Sequence, residues 1–189
     1  MTKMTYLAAI NAGIVEEMRR DDSVFTMGQD IRSGTYGVYP VEEFGSRIRN
    51  LPISEAANVG TAVGAALAGL RPVLDITFST FLYSAADQIV NQAAKSRYMF
   101  GGQADLPLVI RATMYYGGSQ AAHHTDRPYP MFMNVPGLKI VAPASAADAK
   151  GLIKAAIREP DPVLVFEDGN LWGLFAVEGV VEVRGSIAG

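Results

Sequence analysis

Short apolar runs separated by segments with helical spacing narrow the folds open to this chain more than any other feature. Arg71 to Thr77 (RPVLDIT), Leu106 to Thr113 (LPLVIRAT), Lys139 to Ala142 (KIVA) and Pro162 to Phe166 (PVLVF) each read as a strand buried on both faces. Before them, Leu7, Ile10, Ile14 and Met18 recur at helical spacing, the pattern closes at Arg19, Arg20 and two aspartates, and Ser23 to Met27 reads as a further strand. The intervals hold a small-residue helix from Ala56 to Gly69, a helix from Phe81 to Met99, and a helix from Ser145 to Arg158 capped by its serine. Strands alternating with helices predict an α/β fold, a parallel sheet with helices on both faces. Gly28 to Gly45, with four glycines and a proline, reads as a long surface loop.

Ligands of such sheets sit beyond the carboxyl ends of the strands, which directs attention to the loops after Met27, Thr77, Thr113 and Ala142. With no cysteine among 189 residues, chemistry there must use carboxylates, imidazoles or a bound cofactor. A net charge of -3 argues against nucleic-acid partners and anionic lipid. The run from Ala56 to Leu70 is interrupted by Asn58 and Thr61 and falls short of the roughly 20 apolar residues that span a bilayer. The amino-terminal apolar run continues into acidic residues and arginines where a leader would need a small-residue cleavage site. A cytoplasmic chain is expected, with one domain over residues 1–173 and a linker over 174–189.

Gly60, Gly64 and Gly69 lack the spacing of a dinucleotide fingerprint and read as the close-packing face of a helix, in a core or at a subunit interface. Asp168-Gly169-Asn170 reads as a turn after a strand. His123 and His124 are the only histidines; in an extended loop adjacent side chains point apart, so at most one is expected to face a given site as a general acid or base, the alternative being a surface or structural role. Glu55 opens an otherwise apolar helix, where the helix dipole alone accounts for a carboxylate. Shielded from water by a partner, a carboxyl group there would favour its neutral, hydrogen-bond-donating form.

Taken in order, PISEAANVGTAVGAALAGLRPVLDITF, DQIVNQAAKSRYMFGG, LPLVIRA, PGLKIVAP and DAKGLIKAAIRE, between Leu51 and Gly173, resemble the beta subunit of the decarboxylating component of 2-oxo acid dehydrogenase complexes, the family of the pyruvate, branched-chain and acetoin enzymes. The resemblance implies the pyrimidine-binding domain of the thiamine-diphosphate fold. It implies thiamine diphosphate bound between this chain and an alpha subunit that holds the diphosphate and magnesium. A second beta subunit and a lipoyl-bearing acyltransferase are the further partners implied. Glu55 matches the glutamate that bonds the aminopyrimidine, Phe81 the aromatic packed on it, and Ile53 and Thr77 positions that line it, with a small Ser84 close by. His124 matches a histidine acting on proton transfers or on the acyl intermediate. A potassium site built largely from backbone carbonyls would fall on Leu108, Ala156, Ile157, Glu159 and Asp161.

Two departures bear on function. His124-Thr125-Asp126-Arg127 stands where relatives have HSQS, and the prolines at 128 and 130 sit where a helix usually begins. A split transketolase or acyloin-forming subunit is therefore a second expectation, and a noncatalytic assembly module a third. The family's carboxyl-terminal domain would follow residue 173, so the chain is expected to be either part of a longer subunit or the product of a split gene whose other part encodes that domain.

Overall fold

The computed structural model describes residues 3–34, 37–115, 121–173 and 175–177. Strands β1 (Lys3–Thr5), β2 (Val24–Gly28), β3 (Ile48–Asn50), β4 (Arg71–Phe78), β5 (Val109–Met114), β6 (Lys139–Val141), β7 (Val163–Asp168) and β8 (Phe175–Val177) are interleaved with six helices. These are α1 (Tyr6–Arg20), α2 (Val41–Phe44), α3 (Glu55–Leu67), α4 (Ala94–Met99), α5 (Tyr129–Phe132) and α6 (Ala146–Arg158). Six strands make one parallel sheet in the order β3-β2-β4-β5-β7-β6, while β1 and β8 pair antiparallel as a separate ribbon.

Successive side chains of a strand point to opposite faces, and here both faces are covered. Val73, Val109, Val163 and Val165 pack with Ile10, Ile14 and Met18 of α1 and Ile153 and Ile157 of α6. Their even-numbered neighbours Leu74, Ile110, Leu164 and Phe166 pack on the other face with Val59 and Val63 of α3 and with Leu82 and Ile89. The parallel sheet between two helical layers is the α/β class that the alternation predicts. α1 and α6 approach closely at Gly13, where a Cβ would lie 2.6 Å from Ile153 Cγ2. Ser145 caps α6 as expected, accepting the Asp148 N–H at 3.1 Å.

Three sequence expectations change. Gly28 to Gly45 is not simply a surface loop, because Ile31, Tyr39 and Phe44 are buried and α2 forms within it. The helix expected from Phe81 to Met99 is a 3-10 stretch (Ser79–Ala85), a π-helical stretch (Gln88–Ala93) and then α4. β5 begins only at Val109, since the Leu106 N–H leaves the ladder to pair with the Pro160 carbonyl. Of the glycines on the small face, Gly60 is half-buried and Gly64 and Gly69 are exposed, so the face does not close on the described core, and a Cβ at Gly64 would meet nothing within 4 Å. The Gly117-Gly118 pair and residues 178–189 lie outside the described residues, and no described helix is long and apolar enough to cross a membrane.

Candidate functional site

β4 leaves the sheet by an irregular turn. Its register with β5 shifts between Asp75 and Phe78, and Thr77 has φ +70°, a left-handed conformation unfavourable to a β-branched residue. The Thr77 N–H donates to Asp75 Oδ1 at 2.8 Å, which ties the turn to the side chain beneath it. Asp75 belongs to a buried charged cluster on the α1/α6 face. Arg111 Nε and Nη2 donate to the two oxygens of Glu167 at 2.6 and 3.1 Å, and Arg111 Nη1 reaches Tyr39 Oη at 2.9 Å and Asp75 Oδ2 at 3.2 Å. Burial pushes the Asp75 carboxyl above its ordinary range, with Arg111 opposing and Glu167 adding to the shift. Burial likewise pushes the Tyr39 phenol up to about 12.

The turn carries Phe78 and the following 3-10 stretch across the strand ends, where a cleft of about 690 Å³ opens. Glu55, the first residue of α3, is half-buried in its wall. The hydroxyl of Ser84 donates to the Phe81 carbonyl at 2.8 Å and lies 3.5 Å from Glu55 Oε2, at the limit of a hydrogen bond. Opposite, the His124 ring sits edge-on to Phe78 and Phe81, with centroids 4.6 and 5.5 Å away.

Three hydroxyls of the 3-10 stretch strap the histidine loop down. Ser79 Oγ donates to the Asp126 carbonyl at 2.8 Å, Thr80 Oγ1 to the His123 carbonyl, and Tyr83 Oη to Asp126 Oδ2 at 2.6 Å. The Tyr83 bond, helped by the Arg127 N–H, holds the Asp126 carboxyl below its usual range.

Of the residues singled out from sequence, Ile53, Glu55, Thr77, Phe81, Ser84 and His124 line this one cleft, Ile53 as a rim residue 73% exposed. Sequence reasoning missed Gln29, Phe78, Thr80 and Tyr83, which also line it, whereas Asp126, singled out as a departure from relatives, is in its lining. It also gave the cleft one histidine, whereas His123 and His124 both face it. They sit in a 3-10 turn (Ala122–His124) rather than an extended segment, so neighbouring rings fall on one side, with centroids 4.3 Å apart. Turn-forming Thr125 and Asp126 directly after the pair were the available signal.

Leu108, Ala156, Ile157, Glu159 and Asp161 cluster at the opposite end of the sheet, ahead of β5 and β7. Four of these carbonyls already have donors: Arg71 Nη1 gives to Ile157 O at 2.8 Å and Glu159 O at 3.4 Å, Val163 N–H to Leu108 O at 2.9 Å, and Glu159 N–H to Ala156 O at 3.3 Å. Lys139 pairs with the Glu159 carboxylate at 2.6 Å, and Arg97 with Asp161 at 2.8 Å. Among the described residues, no group of three His, Cys, Asp or Glu side chains could hold a metal ion.

Residues 2–172 match the family model of the transketolase pyrimidine-binding domain. The chain is 44% identical to the beta subunit of acetoin:2,6-dichlorophenolindophenol oxidoreductase of Cupriavidus necator, over 91% of this chain and 55% of that one. It is 42% identical to the 2-oxoisovalerate dehydrogenase subunit beta of Bacillus subtilis, over 94% and 56% of the two chains. It is also 42% identical to the pyruvate dehydrogenase E1 component subunit beta of Rhizobium meliloti, over 92% and 39%. The chain spans about half the length of the curated relatives it matches. A solved chain described as a split gene transketolase, inactive beta4 tetramer, superposes with a TM-score of 0.74 over 90% of this chain and 52% of that one, at 23% identity, a likeness of fold.

Proposed function

The chain belongs to the transketolase pyrimidine-binding domain family, and from that premise we propose that it is the pyrimidine-binding half of the beta subunit of a thiamine-diphosphate-dependent 2-oxo acid dehydrogenase, decarboxylating and acyl-transferring. The observation that supports this best is the grouping of Glu55, Phe81 and His124 around one cleft at the strand ends. Such a cleft suits an aminopyrimidine. Phe81 offers a flat apolar surface, Ile53 and Thr77 the walls, and Glu55 a carboxyl group for a ring nitrogen.

When bound, thiamine diphosphate supplies a nucleophilic carbon for the 2-oxo group and an electron sink for the loss of carbon dioxide. Glu55 holds the proton at the pyrimidine nitrogen. His124, kept at the mouth by the three hydroxyl straps, moves a proton to or from the reacting acyl group. The diphosphate and magnesium belong to an alpha subunit, and a second beta subunit and a lipoyl-bearing acyltransferase are further partners in the same proposal, as is work in the cytoplasm. A potassium ion on Leu108, Ala156, Ile157, Glu159 and Asp161 would have to use the second lone pairs of carbonyls that Arg71 and Val163 already engage.

Replacing Glu55 with Gln in the reconstituted complex tests the assignment. Loss of at least about 100-fold in 2-oxo acid decarboxylation, with the complex still assembled, is expected for removal of a general acid. An unaltered rate would leave the chain as an assembly module.

A further inference from the structure

Two imidazoles share the mouth of the cleft, and they are unequally placed. His124 is half-buried, with its ring against Phe78 and Phe81; His123 is exposed. The ring centroids are 4.3 Å apart at an interplanar angle of 45°. Neither position depends on chance packing: the Thr80 hydroxyl holds the His123 carbonyl, and the His124 N–H donates to the Ala121 carbonyl at 3.1 Å. Among the described residues that line the cleft with the pair, the charged and titratable ones are Glu55 at the start of α3, Tyr83 on the 3-10 stretch, and Asp126 on the histidine loop itself. Tyr83 and Asp126 are committed to each other. Behind Phe78 lies Tyr115, at the end of β5.

We propose that His123 is a proton relay between His124 and solvent, an inference that rests on the assignment of His124 to proton transfer. A ring packed against two phenylalanines has restricted access to water, so each proton that His124 takes from the reacting group must leave before the next turnover. In the relay, a ring nitrogen of His124 gives up that proton and a ring nitrogen of His123, directly or through one water, accepts it. His123 then releases it to water or buffer, and both rings return to neutral with one proton delivered to solvent. Run backwards, the same path supplies His124 with a proton. In this role His123 acts through His124, not on the reacting group itself.

The test uses the complex assembled with its alpha-type partner, with turnover followed at low and rising buffer concentration. His123→Asn should lower kcat several-fold in dilute buffer, and added imidazole should restore it with saturation, a rescue that a purely structural role would not show. His124→Asn should lose activity at every buffer concentration. If His123→Asn matches the parent in dilute buffer, or its loss resists imidazole, the relay is wrong while the His124 assignment stands. If His124→Asn is also fully active, both fall.

A second readout is independent of turnover. Because the chain contains two histidines, isotope labelling of its histidines gives one pair of ring systems. A ring-to-ring cross-relaxation peak is expected, along with displaced His124 ring signals in His123→Asn. Absence of both would overturn the pairing.

Discussion

Replacing Arg111 with methionine would take the one cation out of the buried cluster while keeping a long side chain in its place. Arg111 is 2% exposed and Glu167 0%, so water cannot re-solvate what is left behind. The substitution removes a bidentate pair to Glu167, a bond to Tyr39 and a contact to Asp75, and it strands two carboxyl groups in the core. Breaking a buried ion pair from one side costs about 3–5 kcal/mol, a large share of the roughly 5–15 kcal/mol that holds a domain together. For a chain of this size that corresponds to about 6–20 °C in melting temperature, at roughly 2–4 °C per kcal/mol. Urea and thermal unfolding of the purified chain measure it directly. Much of the cost is the stranded charge rather than the lost attraction, so Arg111→Met combined with Glu167→Leu should recover most of it. A single variant within about 1 kcal/mol of the parent, or a double variant no better than the single, would refute this account.

Asp75→Asn keeps an acceptor for the Thr77 N–H but cannot ionise. Because burial raises the Asp75 carboxyl in the folded chain, its contribution is fully present below the unfolded carboxylate pKa of about 3.9 and is lost as pH rises through the folded value. Urea midpoints of variant and parent, compared from pH 4 to pH 8, should therefore move in the variant's favour as pH rises; a constant difference would contradict the shift. Gly137→Ala puts a Cβ 2.0 Å from the Ala94 carbonyl oxygen at a backbone φ of +93°. It should cost at least about 2 kcal/mol in thermal unfolding, the left-handed strain alone being roughly 1–2 kcal/mol. If potassium binds beside Arg71, exchanging sodium for potassium chloride at fixed ionic strength should raise the melting temperature, and Arg71→Lys should alter that increment. Equal melting in both salts would remove the proposal.

Layer architecture was legible because burial on both faces leaves uninterrupted apolar runs, and α1, α3 and α6 because their spacing and caps are local. Features made by distant pairing were not. β1 meets β8 across nearly the whole chain, and β3 is three residues long with only Ile48 buried, too short to show a period. LPLVIRAT and RPVLDIT read as apolar strands despite Arg111 and Asp75, because the carboxylate and guanidinium that offset those charges sit on neighbouring strands, and the Tyr39 hydroxyl that accepts from Arg111 comes from a distant loop. The cleft was read in outline through Glu55, Phe81 and His124. Its second histidine was lost to a single wrong premise about local backbone, extended where the chain makes a 3-10 turn.

The bare flank of α3 has a thermodynamic consequence of its own. A glycine inside a helix forfeits about 0.5–1 kcal/mol relative to alanine through the extra freedom it surrenders on folding. At Gly64 an added methyl group would enter open space, and at Gly60 it would make an ordinary 3.7 Å contact with Gln88. Among the described residues nothing requires either glycine, so the isolated domain sits below the stability its own backbone permits. Both glycines leave this flank of α3 bare, a shape that packing among the described residues does not call for.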